Sequence, residues 1–93
     1  MVVGILKLKI MIPGSHSLKE KRHALRSIKD RLRAQYNVSV AEVDAQDVWQ
    51  TAVLAVASVG ADRSDVEGRL DSVVSLVRGS GQVVLARAEK EFV

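Results

Sequence analysis

The segment Val2-Val3-Gly4-Ile5-Leu6-Lys7-Leu8-Lys9-Ile10-Met11-Ile12-Pro13-Gly14-Ser15-His16-Ser17-Leu18-Lys19-Glu20 changes its hydrophobic period part-way, and that change decides the fold. Up to Ile12 the residues alternate. Leu6, Leu8, Ile10 and Ile12 share one face, and Ile5, Lys7, Lys9 and Met11 share the other. A period of two belongs to a strand with one side against a core. Pro13-Gly14 ends it. Ser17-Leu18-Lys19-Glu20 then forms a capping box, with Ser17 accepting from a free helix N–H and Glu20 reaching back. A helix follows to about Tyr36, because Leu18, Leu25, Ile28, Leu32 and Tyr36 fall within an arc of about 80°. Asn37 tolerates a left-handed backbone and is predicted to stop this helix.

Outward from that segment, Val38–Asp44 and Thr51–Val59 are β-rich and joined by the polar hairpin connection Ala45–Gln50. In the later of these strands Leu54 and Val56 are assigned to the core, and Val53, Ala55 and Ala57 to the opposite face. Asp62 caps a second helix, with Asp65 three residues on. Val66, Leu70, Val73 and Val77 recur at helical spacing, and Gly79-Ser80-Gly81 stops the helix. Val83 to about Phe92 reads as a last, highly charged strand. The order βαββαβ predicts an α+β, ferredoxin-like sandwich spanning 1–93 as a single domain. It has a four-stranded antiparallel sheet with two helices on one face. Three loops, 13–17, 45–50 and 79–82, then meet at one end, where a site built from separated loops is expected.

Composition narrows the class. Apolar residues at 47% and charged residues at 27% of 93 are near the globular average, which excludes a disordered tail. The lack of cysteine excludes a disulfide framework, a thiolate metal site and cysteine catalysis. The neutral run Thr51–Ala61 is too short to span a bilayer, so no membrane association is expected. The chain runs straight into a strand pattern, so no signal peptide is read and a cytoplasmic location is expected.

The net charge of +3 conceals a polarised molecule. Residues 16–36 hold seven Lys or Arg and two acids; the remainder holds seven bases and nine acids. With Leu18 at 0°, Lys29, Arg22, Arg33, Arg26 and Lys19 fall at about 20°, 40°, 60°, 80° and 100° around the helix. These five cations form a ridge beside the apolar arc, on a helix roughly 28 Å long. They are the candidate nucleic-acid-binding residues, spaced to meet several phosphates; the plainer reading is a solvated, helix-favouring face. Lys21 lies at about 300°, inside the apolar arc. Either it snorkels near the helix start, or it is held by Glu42, Asp44 or Asp47 at the three-loop end.

The loop Gly14-Ser15-His16-Ser17 enters a helix N-terminus, and these residues are a candidate anion-binding set. It is not a P-loop, because the glycine spacing and the terminal Lys-Ser/Thr are missing. His16 and His23 have no third ligand spaced with them, so neither a metal nor another cofactor is expected. Asp44 or Asp47 could orient His16, yet no nucleophile stands beside them and no catalytic residue is assigned. The plainer reading is that Asp44, Gln46 and Asp47 fix the turn while Trp49 packs over the core edge. Lys21, Asp44, Gln46, Asp47 and Trp49 form the candidate loop-end site, for a small anionic ligand or an enzyme reaction. The uncovered sheet face offers another reading, a homodimer or protein-interaction surface. Strands one and three carry no aromatic, which argues against base stacking on the sheet. Nucleic-acid binding is expected to be phosphate-led and salt-sensitive.

The segments Ile12–Arg22 and Asn37–Asp44, followed by Gln46-Asp47 and Trp49-Gln50, resemble the YlxP-like family of small bacterial proteins with a domain of unknown function. The resemblance covers the whole chain. It implies a ferredoxin-like fold and a bacterial cytoplasmic protein. Members are often encoded beside transcription and translation factors, which implies a link to RNA or the ribosome. It implies no activity and no catalytic residue. The position of Ala45 is often histidine in the family, so this chain departs from it there. Acylphosphatase shares the predicted topology and binds an anion after its first strand, but residues 13–17 here contain no arginine. The preferred reading is therefore a non-catalytic RNA- or ribosome-associated module.

Overall fold

Alternation in the first segment becomes the long strand β1, Val2–Met11, and the capping box becomes the start of α1, Leu18–Gln35. They are followed by β2 (Ser39–Asp44), β3 (Thr51–Gly60), α2 (Arg63–Arg78) and β4 (Val84–Phe92). A computed structural model describes all of residues 1–93. The sheet order is β2-β3-β1-β4 with every neighbouring pair antiparallel, the ferredoxin-like arrangement. Pairing of Met11 with both Thr51 and Val84 gathers the three expected loops at one end.

The core lies between the sheet and the helices. Leu6, Leu8 and Ile10 of β1 and Leu54 and Val56 of β3 meet Leu25, Ile28 and Leu32 of α1 and Val66, Leu70, Val73 and Val77 of α2. Val53 is also buried but stands outside this cluster, on the face without helices. The two central strands are apolar on the helix side at every second position, and this pins their register. The edge strands β2 and β4 are more exposed, and each carries a register shift.

Both caps form. Ser17 Oγ accepts from Glu20 N–H, and the Glu20 carboxylate accepts from the His16 N–H. Asp62 Oδ1 accepts from the Asp65 N–H at 2.9 Å and from the Ser64 hydroxyl at 2.9 Å. α1 ends within a residue of the expected Tyr36, but the conformation after it differs from expectation. Tyr36 ends the helix with φ −131° and ψ 151°, and Asn37 is not left-handed. The cause is tertiary: the Asn37 carbonyl accepts from the Ser58 hydroxyl at 2.8 Å, and Ser58 Oγ accepts from Arg69 at 2.8 Å. That chain of bonds draws the segment after α1 into extended backbone leading to β2. After α2 the left-handed residue is Gly81, with φ 76°.

The helix layer presses closely on the sheet at Gly4. A Cβ there would lie 2.6 Å from Val66 Cγ1 and 2.9 Å from Leu70 Cδ1. Gly4→Ala should therefore cost about 1–3 kcal/mol through overpacking, read as a lower urea midpoint at unchanged slope. Gly14→Ala, with nothing within 4 Å of its Cβ, should leave the midpoint in place. A second outcome concerns pH. The bond from the Asp65 N–H, with the Ser64 hydroxyl, holds the Asp62 carboxyl below its ordinary value of 3.8. A carboxyl depressed by folding adds stability above its unfolded pKa and loses it as pH falls through the folded value. The stability gap between wild type and Asp62→Ala should be full above 3.8 and close below it in urea titrations across pH. A gap unchanged into strong acid would contradict this.

Candidate functional site

The cationic ridge runs along the flank of α1 that overlooks the edge strand β2. Lys19, Arg22 and Arg26 are exposed and Lys29 is partly so. None of the four has an ion-pair partner in the fold. Arg33 is different: it donates to the Val40 carbonyl of β2 at 2.7 Å and lies 3.9 Å from Asp30. It therefore fastens the helix to the strand as well as contributing charge. The acids that might have neutralised the ridge are engaged elsewhere. Glu42 pairs with Lys21, Glu89 with Arg87, and Glu67 and Asp71 with Lys90.

Lys21 does not snorkel. It is 1% exposed, with Nζ 2.8 Å from Glu42 Oε2, and it donates to the Ala45 carbonyl at 2.6 Å. The ammonium is the one partner of Oε2. Of the acids open to Lys21, the structure selects Glu42, because β2 carries it over the helix start. Buried between a carboxylate and a carbonyl, the ammonium is not open to an external ligand. The Ala45 carbonyl also accepts from the Val48 N–H at 3.1 Å. To aim that oxygen inward, Ala45 adopts φ 61°, the left-handed region that a non-glycine residue rarely takes.

The remaining loop-end residues are arranged mostly by local bonds. Ser15 is 2% exposed, and its hydroxyl donates to the Ser17 carbonyl at 3.0 Å. Gln50 donates to the Ser15 carbonyl at 3.1 Å, locking the hairpin to the loop containing Gly14 and His16. The Glu20 carboxylate sits where an external anion at the start of α1 would sit. Asp44 Oδ1 accepts from the Ala45 N–H at 2.8 Å and so helps fix the turn. Gln46 and Asp47 make no such bond and are exposed, and the His16 ring makes no hydrogen bond or ion pair with Asp44 or Asp47. Trp49 does not pack over the core edge; it is 53% exposed at the hairpin. The loops thus converge as expected, but they bring together a structural ion pair rather than a reactive pair.

On the uncovered sheet face Ile5, Lys7, Lys9 and Met11 lie where the alternation put them. A hollow of about 320 Å³ opens there, with Lys7, Lys9, Arg87, Asp44, Thr51 and Glu89 in its wall. Sequence reasoning missed this grouping. It saw Lys7 and Lys9 on one face, but not that β4 would bring Arg87 opposite Lys9.

A family model described as "Protein of unknown function (DUF503)" matches residues 3–90. The chain belongs to the DUF503 family. Within the YlxP-like group, the uncharacterized protein YlxP of Bacillus subtilis (strain 168) is 33% identical over 76 residues, covering 82% of this chain and 83% of that protein. Two solved structures share the fold. The de novo designed protein Foldit4 superposes with a TM-score of 0.53 at 11% identity, covering 98% of this chain and 96% of that one. A C-terminal segment of the alpha subunit of aIF2 from Pyrococcus abyssi gives 0.52 at 16% identity, covering 99% of this chain and 49% of that one. A designed protein among them marks the likeness as one of architecture. No helix of this DUF503 chain is long and apolar enough to cross a membrane.

The ion pair gives a test. Glu42→Ala leaves a buried ammonium without its carboxylate, which should cost about 3 kcal/mol, the low end for a buried pair because Glu42 keeps 18% exposure. Replacing both partners, Lys21→Met with Glu42→Leu, should recover most of that loss in urea denaturation. A loss for Glu42→Ala below about 1 kcal/mol would mark the pair as an ordinary surface one.

Proposed function

We propose that this DUF503 chain is a non-catalytic RNA- or ribosome-associated module of the cytoplasm, binding phosphate backbone through α1. The observation that carries the reading is the unpaired state of Lys19, Arg22, Arg26 and Lys29, aligned on one flank while the acids named above are bonded elsewhere. A helix of 18 residues is about 27 Å long, which spans several successive phosphates. Charge left without a partner in the fold is available to an external polyanion, and its counterions are released on binding.

No aromatic lies on the open sheet face. Tyr36 ends α1, Phe92 lies on the helix side under Arg63, and Trp49 is in the hairpin. The binding mode is accordingly phosphate contact with weak sequence preference. Trp49 stands at the loop end, near the first turns of α1, and serves as an intrinsic fluorescence reporter.

Fluorescence anisotropy with a labelled RNA hairpin across a salt series tests the reading. The triple variant Arg22→Gln, Arg26→Gln, Lys29→Gln should bind at least tenfold more weakly. Its log–log salt slope should flatten by about two to three, since each lost phosphate contact removes roughly 0.7–0.9. Absence of binding by the wild type at about 50 mM salt, or an unchanged slope in the variant, would reject it.

A further inference from the structure

We infer that the hollow on the uncovered sheet face is a binding site for a small sugar phosphate, nucleoside monophosphates included. It is separate from α1, which lies on the opposite side of the sheet, and its existence does not depend on RNA binding. Its volume of about 320 Å³ is at the lower end of ligand cavities, which run from roughly 300 Å³ upward.

The backbone is irregular just where the hollow forms. Val53 and Lys9 are directly paired across the central strands. On one side the β2 register slips between Glu42 and Asp44, so that Asp44 stands opposite Val53 with Val43 left over. On the other side the β4 register slips between the partners of Lys9 and Ile10, so that Arg87 stands opposite Lys9 with Ala86 left over. Bulges re-aim side chains, and here both edge strands bulge beside the same central row. The left-handed Ala45 adjoins the same hollow.

The charges point to an anion of limited size. Lys9 and Arg87 face each other directly, a like-charge cross-strand pair that weakens the sheet. Lys7 is on the same face of β1, roughly 7 Å along the strand, so both ammonium groups can reach one phosphate. Glu89 engages Nε of Arg87, leaving the two terminal nitrogens without a protein partner. That fork matches phosphate oxygens. Asp44 spends one oxygen on the Ala45 N–H and keeps the other for a donor. Thr51 has only a weak contact, 3.6 Å to the Met11 sulfur. A ligand with a phosphate at one end and hydroxyl donors at the other satisfies all of these groups. A continuous nucleic-acid backbone does not, because Asp44 and Glu89 would oppose its successive phosphates.

Amide NMR spectra of the ¹⁵N-labelled protein titrated with ribose 5-phosphate and the four ribonucleoside 5′-monophosphates provide the test, with ribose and inorganic phosphate as comparators. At least one of the sugar phosphates should give saturating shifts centred on Lys7, Lys9, Asp44, Thr51 and Arg87, tighter than either comparator. Lys9→Gln should weaken that binding at least tenfold, whereas Arg26→Gln on α1 should leave it unchanged. Lys9 is exposed, so its replacement leaves the core intact, and the wild-type titration stands by itself. No shift from any sugar phosphate at about 10 mM, well above a millimolar Kd, would overturn the inference. Equal affinity for inorganic phosphate, or shifts confined to α1, would overturn it as well.

Discussion

The buried ammonium of Lys21 is the constraint on which the loop end of the molecule depends. A charge at 1% exposure requires both a counter-ion and hydrogen-bond acceptors. It takes the carboxylate from β2 and the carbonyl from the β2–β3 connection. One side chain thereby ties the first turn of α1 to an edge strand and to a hairpin. Ala45 must turn left-handed to supply its carbonyl, and its N–H then meets Asp44 Oδ1. The position of the Asp44 carboxylate beside the sheet-face hollow is thus linked, through two hydrogen bonds, to a lysine on the other side of the sheet.

The same ion pair shapes the electrostatics of α1. Glu42 is the acid of β2 nearest the helix, and its engagement by Lys21 removes it as a partner for the ridge. On the far edge, Lys90 of β4 holds Glu67 and Asp71 of α2. Bonding to Asp71, then to Glu67, raises its pKa above the usual lysine value, so this clasp persists across neutral pH. Glu89, Glu67 and Asp71 are thus held by bases of β4, while positive charge is left exposed on α1. A net charge of +3 becomes a directional surface because the acids are sorted by their bonds and not by their number.

Much of the fold was legible because it rests on periodicity. The β1 alternation, the apolar arc of α1 and the 4-3-4 recurrence in α2 are strong local signals, and both caps formed where the spacing put them. The end of α1 fell within a residue of the expected Tyr36, but Asn37 is not left-handed, because Ser58 and Arg69 are distant in sequence and no local rule includes them. Lys21 was legible as an anomaly, a cation in an apolar arc, but the choice among three acids needed the position of β2. Trp49 was misplaced because side-chain size suggests burial, whereas a short hairpin offers no surface to bury it. The Lys9–Arg87 pairing was hidden by a bulge, since a one-residue slip changes which side chain faces the site.

The two slips lie where the sheet can tolerate them. β1 and β3 are the central strands, and Leu6, Leu8, Ile10, Leu54 and Val56 hold them in register against the helices. A slip in either would turn those side chains out of the core. The edge strands are held on one side only and have fewer core residues to lose. A bulge in β2 or β4 is therefore tolerated, and it rotates the following side chains relative to the fixed floor. Asp44 and Arg87 both follow such slips along the sheet, while Val53 and Lys9 below them do not move. The rigid centre supplies the floor and two lysines, and the tolerant edges supply the groups that give the hollow its polarity. Val43 and Ala86, the residues left over at the two slips, are therefore the positions where the wall of the hollow can change without loss of the fold.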